Sequence, residues 1–129
     1  MADLLNIVWG QQPNGDGWDV PPYPVIWISV AALEAEWRKT GDYISAGGVG
    51  SKHGGRYEHF GEFFSNAEFV FMPTVCLDDE RRVSFTDGRH RFAWLRDRGL
   101  RSLPIAVPPD QAASFEARFG TSDRVGAIL

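Results

Sequence analysis

Between Val83 and Val107 the residue pattern changes period twice, and no other stretch restricts the chain as much. Val83 and Phe85 alternate with polar neighbours as a strand does. Thr86-Asp87-Gly88 then breaks the alternation, and Phe92, Ala93, Leu95 and Leu100 recur at helical spacing. The succession predicts a strand, a tight turn and a helix from Gly88 to Arg98. Gly99 stands where a left-handed residue ends such a helix, and Leu103-Pro104-Ile105-Ala106-Val107 reads as a further strand. Pro104 has no N–H to give to a ladder, which predicts a sheet edge for that strand. Arg89, His90 and Arg91 fall at the turn into the helix, where free backbone N–H groups and the positive end of the helix dipole also gather. That combination suits an anion, and a phosphate best, because a guanidinium is a planar fork of donors that matches phosphate oxygens.

With 129 residues the chain has the length of one domain, 1–129, with a core over about residues 24–107 and a last helix at about 110–119. Five Trp and nine Phe predict a dense core. No apolar run approaches the roughly 20 residues of a membrane helix, so no membrane insertion is expected and the expected address is the cytoplasm. A lone cysteine, Cys76, excludes an internal disulfide and a cysteine-rich zinc site. The net charge of −4 argues against wrapping duplex DNA by charge alone. Arg81, Arg82, Arg89, Arg91, Arg96, Arg98 and Arg101 nevertheless crowd one span. A positive pocket on an acidic chain suits a small phosphorylated ligand better than a long polyanion.

Ahead of that span, Leu4 to Trp9 reads as an added edge strand, followed by a turn-rich stretch, Gly10 to Gly17, and an extended lead-in around Trp18. Val25 to Ile28 reads as a well-buried strand, and Ser29 caps a helix over Val30 to Lys39 with Leu33 and Trp37 inward. Five glycines between Gly47 and Gly55 predict a mobile loop carrying Lys52, His53 and Arg56, placed to close as a lid over Arg89 and Arg91. Its spacing is not that of a P-loop. Glu58 to Asn66 reads as a short helix with Phe60, Phe63 and Phe64 inward, and Phe69 to Leu77 as a strand interrupted by Pro73. Asp78 to Arg81 reads as a hairpin turn, and Pro108-Pro109 opens the last helix, Asp110 to Phe119, which Gly120 ends.

The box Asp87-Gly88-Arg89-His90-Arg91-Phe92-Ala93, with Leu95, Gly99 and Leu103 to Val107 behind it, resembles the glycine/arginine box of the ParB N-terminal and sulfiredoxin-like superfamily. Within it, the small size and aromatic-rich N-terminal half are most similar to plasmid fertility-inhibition factors. The resemblance implies an α/β (α+β) fold, a small mixed sheet flanked by helices, with the turn holding nucleotide phosphates. It also implies nucleotide hydrolysis, as by an ATPase, or DNA cleavage, as by a nuclease. Sulfiredoxins place a cysteine in this turn; here there is none, and Cys76 lies in an apolar strand, so sulfinic-acid reduction is not expected.

The expected ligand set is Gly88, Arg89, His90 and Arg91, with Lys52, His53 and Arg56 from the lid, binding a nucleotide such as ATP or CTP with Mg2+; no residue is assigned to the metal. Asp87, His90 and Glu62 are the catalytic candidates, a carboxylate such as Glu62 or Asp87 orienting water. Asp87 reads most simply as the helix N-cap, His90 either faces the phosphates or is structural, and Glu58 and Glu62 share one helical face. No Ser-His-Asp order can be read. Two other functions fit the same chain: a non-catalytic protein that blocks a conjugation-system component by surface contact, and a kinase for a small hydroxylated substrate.

Overall fold

The computed structural model describes residues 3–13 and 21–129. Trp18 of the expected lead-in and half of the turn-rich stretch lie outside these residues. Elements follow in the order β1 (Val8–Gly10), β2 (Val25–Ser29), α1 (Val30–Trp37), α2 (Arg56–Asn66), β3 (Val70–Phe71), β4 (Thr74–Leu77), β5 (Val83–Asp87), α3 (Arg89–Asp97), β6 (Ser102–Ala106), α4 (Ala112–Phe119) and β7 (Ala127–Ile128). A mixed sheet has the order β2-β6-β4-β5, and a smaller parallel sheet the order β3-β1-β7. The architecture is the expected α+β type, with two sheets where one was expected.

Pro73 is where the chain changes sheets. The N–H of Met72 donates to Gly10 O on β1 at 2.8 Å, whereas the carbonyl of Pro73 accepts from Ala106 N–H on β6 at 2.9 Å. Proline carries no N–H, so the switch leaves no donor unpaired there. β4 then pairs with β6 in parallel only at Thr74 and Ala106, and with β5 as an antiparallel hairpin closed by Asp78 to Arg82. The carboxylate of Asp78 accepts from the N–H groups of Glu80 and Arg82 in that turn.

Several sequence expectations need correction. β6 is an interior strand, fully buried, paired along its length with β2. Pro104 is tolerated because N–H groups alternate sides: Val107 donates to Pro24 O beside β2 and Ala106 to Pro73 O, so Pro104 lacks its donor on the β4 side, beyond the single point where β4 pairs. β2 is an edge strand, with only Ile28 fully buried. The segment after α4 covers part of it, as Thr121 N–H donates to Trp27 O at 3.1 Å. Leu4 to Asn6 form a 3-10 turn, and β1 is central in its sheet. Phe63 points outward, leaving Tyr57, Phe60 and Phe64 as the buried face of α2.

The core is aromatic. Trp9, Trp37, Phe92 and Phe115 are wholly buried, and the Trp37 ring meets Phe85 at 4.8 Å and Phe92, edge-on, at 5.5 Å between centroids. Ser29 caps α1, its hydroxyl accepting from Ala32 N–H at 3.2 Å, and Gly99 (φ 87°) ends α3 as the pattern predicts. α2 approaches α3 closely at Gly61, where a Cβ would stand 2.6 Å from the Trp94 indole nitrogen.

A buried polar cluster ties these pieces to α3. The Arg96 guanidinium donates to Glu34 of α1 at 3.2 Å, to the carbonyl of Ile44 at 2.6 Å and to Asp97 at 3.0 Å. Asp97 also accepts from the Tyr57 hydroxyl of α2 at 2.6 Å and from Gly47 N–H at 3.0 Å. The glycine-rich loop, expected to be a mobile lid, is therefore fastened to α3. Tyr43 completes the cluster by donating to Glu34, and its ring lies 5.5 Å from Arg96 Cζ. These carboxylates and the guanidinium are 11–15% exposed, so removing the cation strands two charges away from water. Arg96→Ala is expected to lower the unfolding free energy by about 3 kcal/mol, read from urea denaturation. A loss below about 1 kcal/mol, the scale of a surface pair, would show that the cluster does not hold the fold together.

Candidate functional site

The turn from β5 into α3 is built on Gly88. Its φ of 91° is in the left-handed region, and a Cβ there would lie 3.0 Å from Pro73 Cα and 2.8 Å from an Arg91 nitrogen. Gly88, not Asp87, is the N-cap position of α3, and no side chain caps the helix. Asp87 instead ends β5, and its carboxylate accepts from Arg91 at 2.7 Å. The first N–H taken up within the helix is that of Phe92, by Gly88 O at 2.9 Å. The N–H groups of Arg89, His90 and Arg91 thus lack intrahelical acceptors.

This open end forms part of a groove of about 730 Å³. One wall is the face of α2 that carries Arg56, His59, Phe60 and Phe63; another is Phe85 to Arg91; Phe69 and Phe71 complete it. Phe63 is 51% and Phe69 40% exposed, so two phenyl faces stand open to whatever enters. At the other end are cations. Arg91 is matched by Asp87, but the side chains of Arg56 and Arg89 have no ion pair or hydrogen bond among the described residues. Glu68 is the other carboxylate of the lining.

His90 is 9% exposed, and its Nε2 lies 2.7 Å from Ser51 Oγ in the glycine-rich loop. The His53 ring stands edge-on at 6.0 Å. Burial, then the neighbouring charges of Arg89, Arg56 and His53, pull the imidazole below its ordinary pKa. A neutral imidazole between unmatched guanidinium groups leaves the local field positive without adding to it.

The groove therefore brings together Arg56, Asp87, Gly88, Arg89, His90 and Arg91 of the expected residues. It does not reach Lys52 or Glu62, both exposed and outside the lining. Helical periodicity sets Glu62 beside, not within, the face of α2 that lines the groove, and turns Glu58 further away. His53 packs against His90 rather than lining the groove. Among the described residues no three His, Cys, Asp or Glu side chains are grouped to hold a metal ion. The groove's two carboxylates, Asp87 and Glu68, do not by themselves supply the ligand set of a protein-caged Mg2+. Sequence reading missed Glu68, Phe69, Phe71 and Ser51. The period-2 spacing of Phe69 and Phe71 was the available signal for a shared face. Cys76, on β4, is half-buried, 3.8 Å from the Thr86 hydroxyl and outside the groove.

A profile of the Plasmid Fertility inhibition factor family matches residues 25–120, from β2 through α4. The chain belongs to that family. No curated protein matches it. Among solved structures it is similar to the crystal structure of an Oncogenic Suppression Activity Protein, a plasmid fertility inhibition factor, in its gold(I) cyanide derivative. The TM-score is 0.57 at 15% identity, over 76% of this chain and 57% of that one, which establishes likeness of fold. This chain thus spans little more than half the length of that relative. The groove lies within the family-matched segment; β1 and β7 lie outside it. Among the described residues no helix is long and apolar enough to cross a membrane.

The neutral state of His90 has a pH consequence. Its folded pKa is lowered from 6.5, so the unfolded chain takes up this proton first on acidification. The associated stability is fully present above about pH 6.5 and is lost as pH falls through the lower folded value. Wild-type stability should fall more steeply on acidification below pH 6.5 than that of His90→Asn, in urea denaturation across the range. Parallel profiles would show that His90 is not held neutral by the fold.

Proposed function

We propose that this plasmid fertility inhibition factor binds a nucleotide in the groove and hydrolyses its phosphoanhydride or a nucleic-acid phosphodiester. The observation that carries this is the pair Arg56 and Arg89, unmatched by acids, beside the uncapped N-terminus of α3 at one end of an aromatic groove. Phosphate oxygens would take the free N–H groups and both guanidinium groups, and the base would lie on Phe63 and Phe69. The resemblance of residues 87–93 to the ParB and sulfiredoxin-like box supports the same placement. Arg91, held by Asp87, would shape the turn and lend its remaining donors. Charge developing on the transferred phosphoryl group would be stabilised by Arg56 and Arg89, with Mg2+ arriving on the phosphates. The family's name supports a role in limiting plasmid transfer, inside which this chemistry would act.

A second reading rests on the exposure of Phe63 and Phe69, which suits contact with an apolar segment of a conjugation-system protein as well as with a base. Calorimetric titration with ATP, CTP, ADP and a short single-stranded DNA, each with and without Mg2+, separates the two. One nucleotide should bind saturably, and Arg89→Ala should weaken it by about tenfold or more, the scale of one lost charge-assisted hydrogen bond. No binding by any of the four would overturn the nucleotide reading and leave the protein-contact one.

A further inference from the structure

Ser51 and His90 are 39 residues apart in the chain, yet their side chains meet at 2.7 Å. The contact is made where the glycine-rich loop crosses the first turn of α3. His90 is buried and lines the groove; Ser51 is half-exposed and stands just outside the lining, so the imidazole holds the hydroxyl at the groove's edge. Oγ accepts the His53 N–H at 3.1 Å, which fixes its position within the loop. Its one proton has two acceptors in range: His53 O at 3.4 Å, and His90 Nε2 at the much shorter 2.7 Å. In the tautomer with the ring proton on Nδ1, the hydroxyl donates to Nε2, the arrangement in which an imidazole acts as base towards a nucleophile.

The surroundings favour an anionic electrophile. The groups facing His90 are Arg89 on α3, Arg56 on α2 and His53 in the loop. Two are permanent cations without acid partners among the described residues, and both also line the groove. They discourage a resident charge on the imidazole, which keeps one ring nitrogen unprotonated, and they attract phosphoryl oxygens. Nothing in the polar cluster around Arg96 requires this serine, since the loop is already fastened there through Gly47 and Ile44.

We infer that Ser51 is a nucleophile, activated by His90, that accepts a phosphoryl group from the nucleoside triphosphate in the groove. This rests on the nucleotide reading above. In the step, the Ser51 proton passes to His90 Nε2 as an Oγ–P bond forms to the γ-phosphorus. The bond from that phosphorus to its bridging oxygen breaks, and its electron pair leaves on the nucleoside diphosphate. No oxidant or reductant is involved. His90 then gives its proton to solvent. Water attacks the phosphoserine, its proton passes to the neutral His90 and from there to the departing Ser51 Oγ, which restores the hydroxyl and releases inorganic phosphate.

The test has two arms on the full chain. In the first, the protein is incubated with ATP and Mg2+, quenched on a rapid time course and mapped by tandem mass spectrometry, while calorimetry follows ATP binding to the same samples. Phosphoserine at position 51, absent in Ser51→Ala while ATP still binds, is the expected result. In the second, an alkyl fluorophosphonate replaces the nucleotide; Ser51 should displace fluoride and become labelled, about a hundredfold more slowly in His90→Asn. ATP binding with neither phosphoserine nor selective labelling of Ser51 overturns the nucleophile and leaves nucleotide binding intact. No ATP binding but selective, His90-dependent labelling supports the nucleophile while the nucleotide reading falls. Labelling spread over other serines, or equal in His90→Asn, overturns the pair. Should Ser51→Ala fail to fold, Ser51→Thr keeps the hydroxyl while crowding it, and slowed labelling in a folded variant is then the expected sign.

Discussion

The salt-bridged guanidinium of Arg96 is the tie on which the groove depends. It lies among Trp37, Tyr43, Glu34 and Asp97, and through them it joins α1, the segment before the glycine-rich loop, α2 and α3. Withdrawing these charges from water costs several kcal/mol per ion, and the mutual attraction returns that only where geometry is good and other hydrogen bonds complete the set. Here Asp97 collects three donors and Glu34 two, while one buried Arg96 nitrogen has no partner among the described residues. A cluster so interlocked admits few alternative packings. It sets the angle at which α2 faces α3, and hence the distance across the groove.

Charge along α3 is arranged unevenly as a result. At its C-terminal half Arg96 is fully neutralised, and at the first turn Arg91 is matched by Asp87. Arg89, with Arg56 across the groove, is left over. The net charge of −4 therefore conceals a small positive focus whose walls are apolar rings, where the field is less screened than on an open surface. An acidic protein can in this way hold a compact polyanion locally while its remaining surface repels a long one.

Much of this was legible in the sequence where the cause is local. The strand-Gly88-helix passage shows because a change of period and a residue with positive φ coincide, and Ser29 and Gly99 show because capping is settled within a few residues. What escaped is set across the fold. Arg96 reads as one more basic residue in a cationic run, and only packing against Glu34 and Asp97 makes it a buried tie. Pro104 reads as an edge signal because sequence cannot say which side of the ladder β4 leaves empty. Glu62 and Glu58 share a face, as read, but it lies beside the one that lines the groove. Ser51 and His90 carry no spacing signal, since their meeting depends on how a loop with glycines at positive φ turns back onto α3.

Placement of β1 between β3 and β7 has a kinetic meaning. Val8 pairs with Ala127 and Trp9 with Ile128, near opposite ends of the chain, and the Trp9 indole donates to Val125 O at 2.9 Å. Contacts this distant in sequence close late, because loop-closure entropy precedes their reward. β1 can pair with β3 first, but its other edge stays open until Ala127 and Ile128 arrive. Phe71 lies in β3 of the same sheet and Phe69 directly before it, so that wall of the groove would be consolidated late, after the turn that offers the cations has formed.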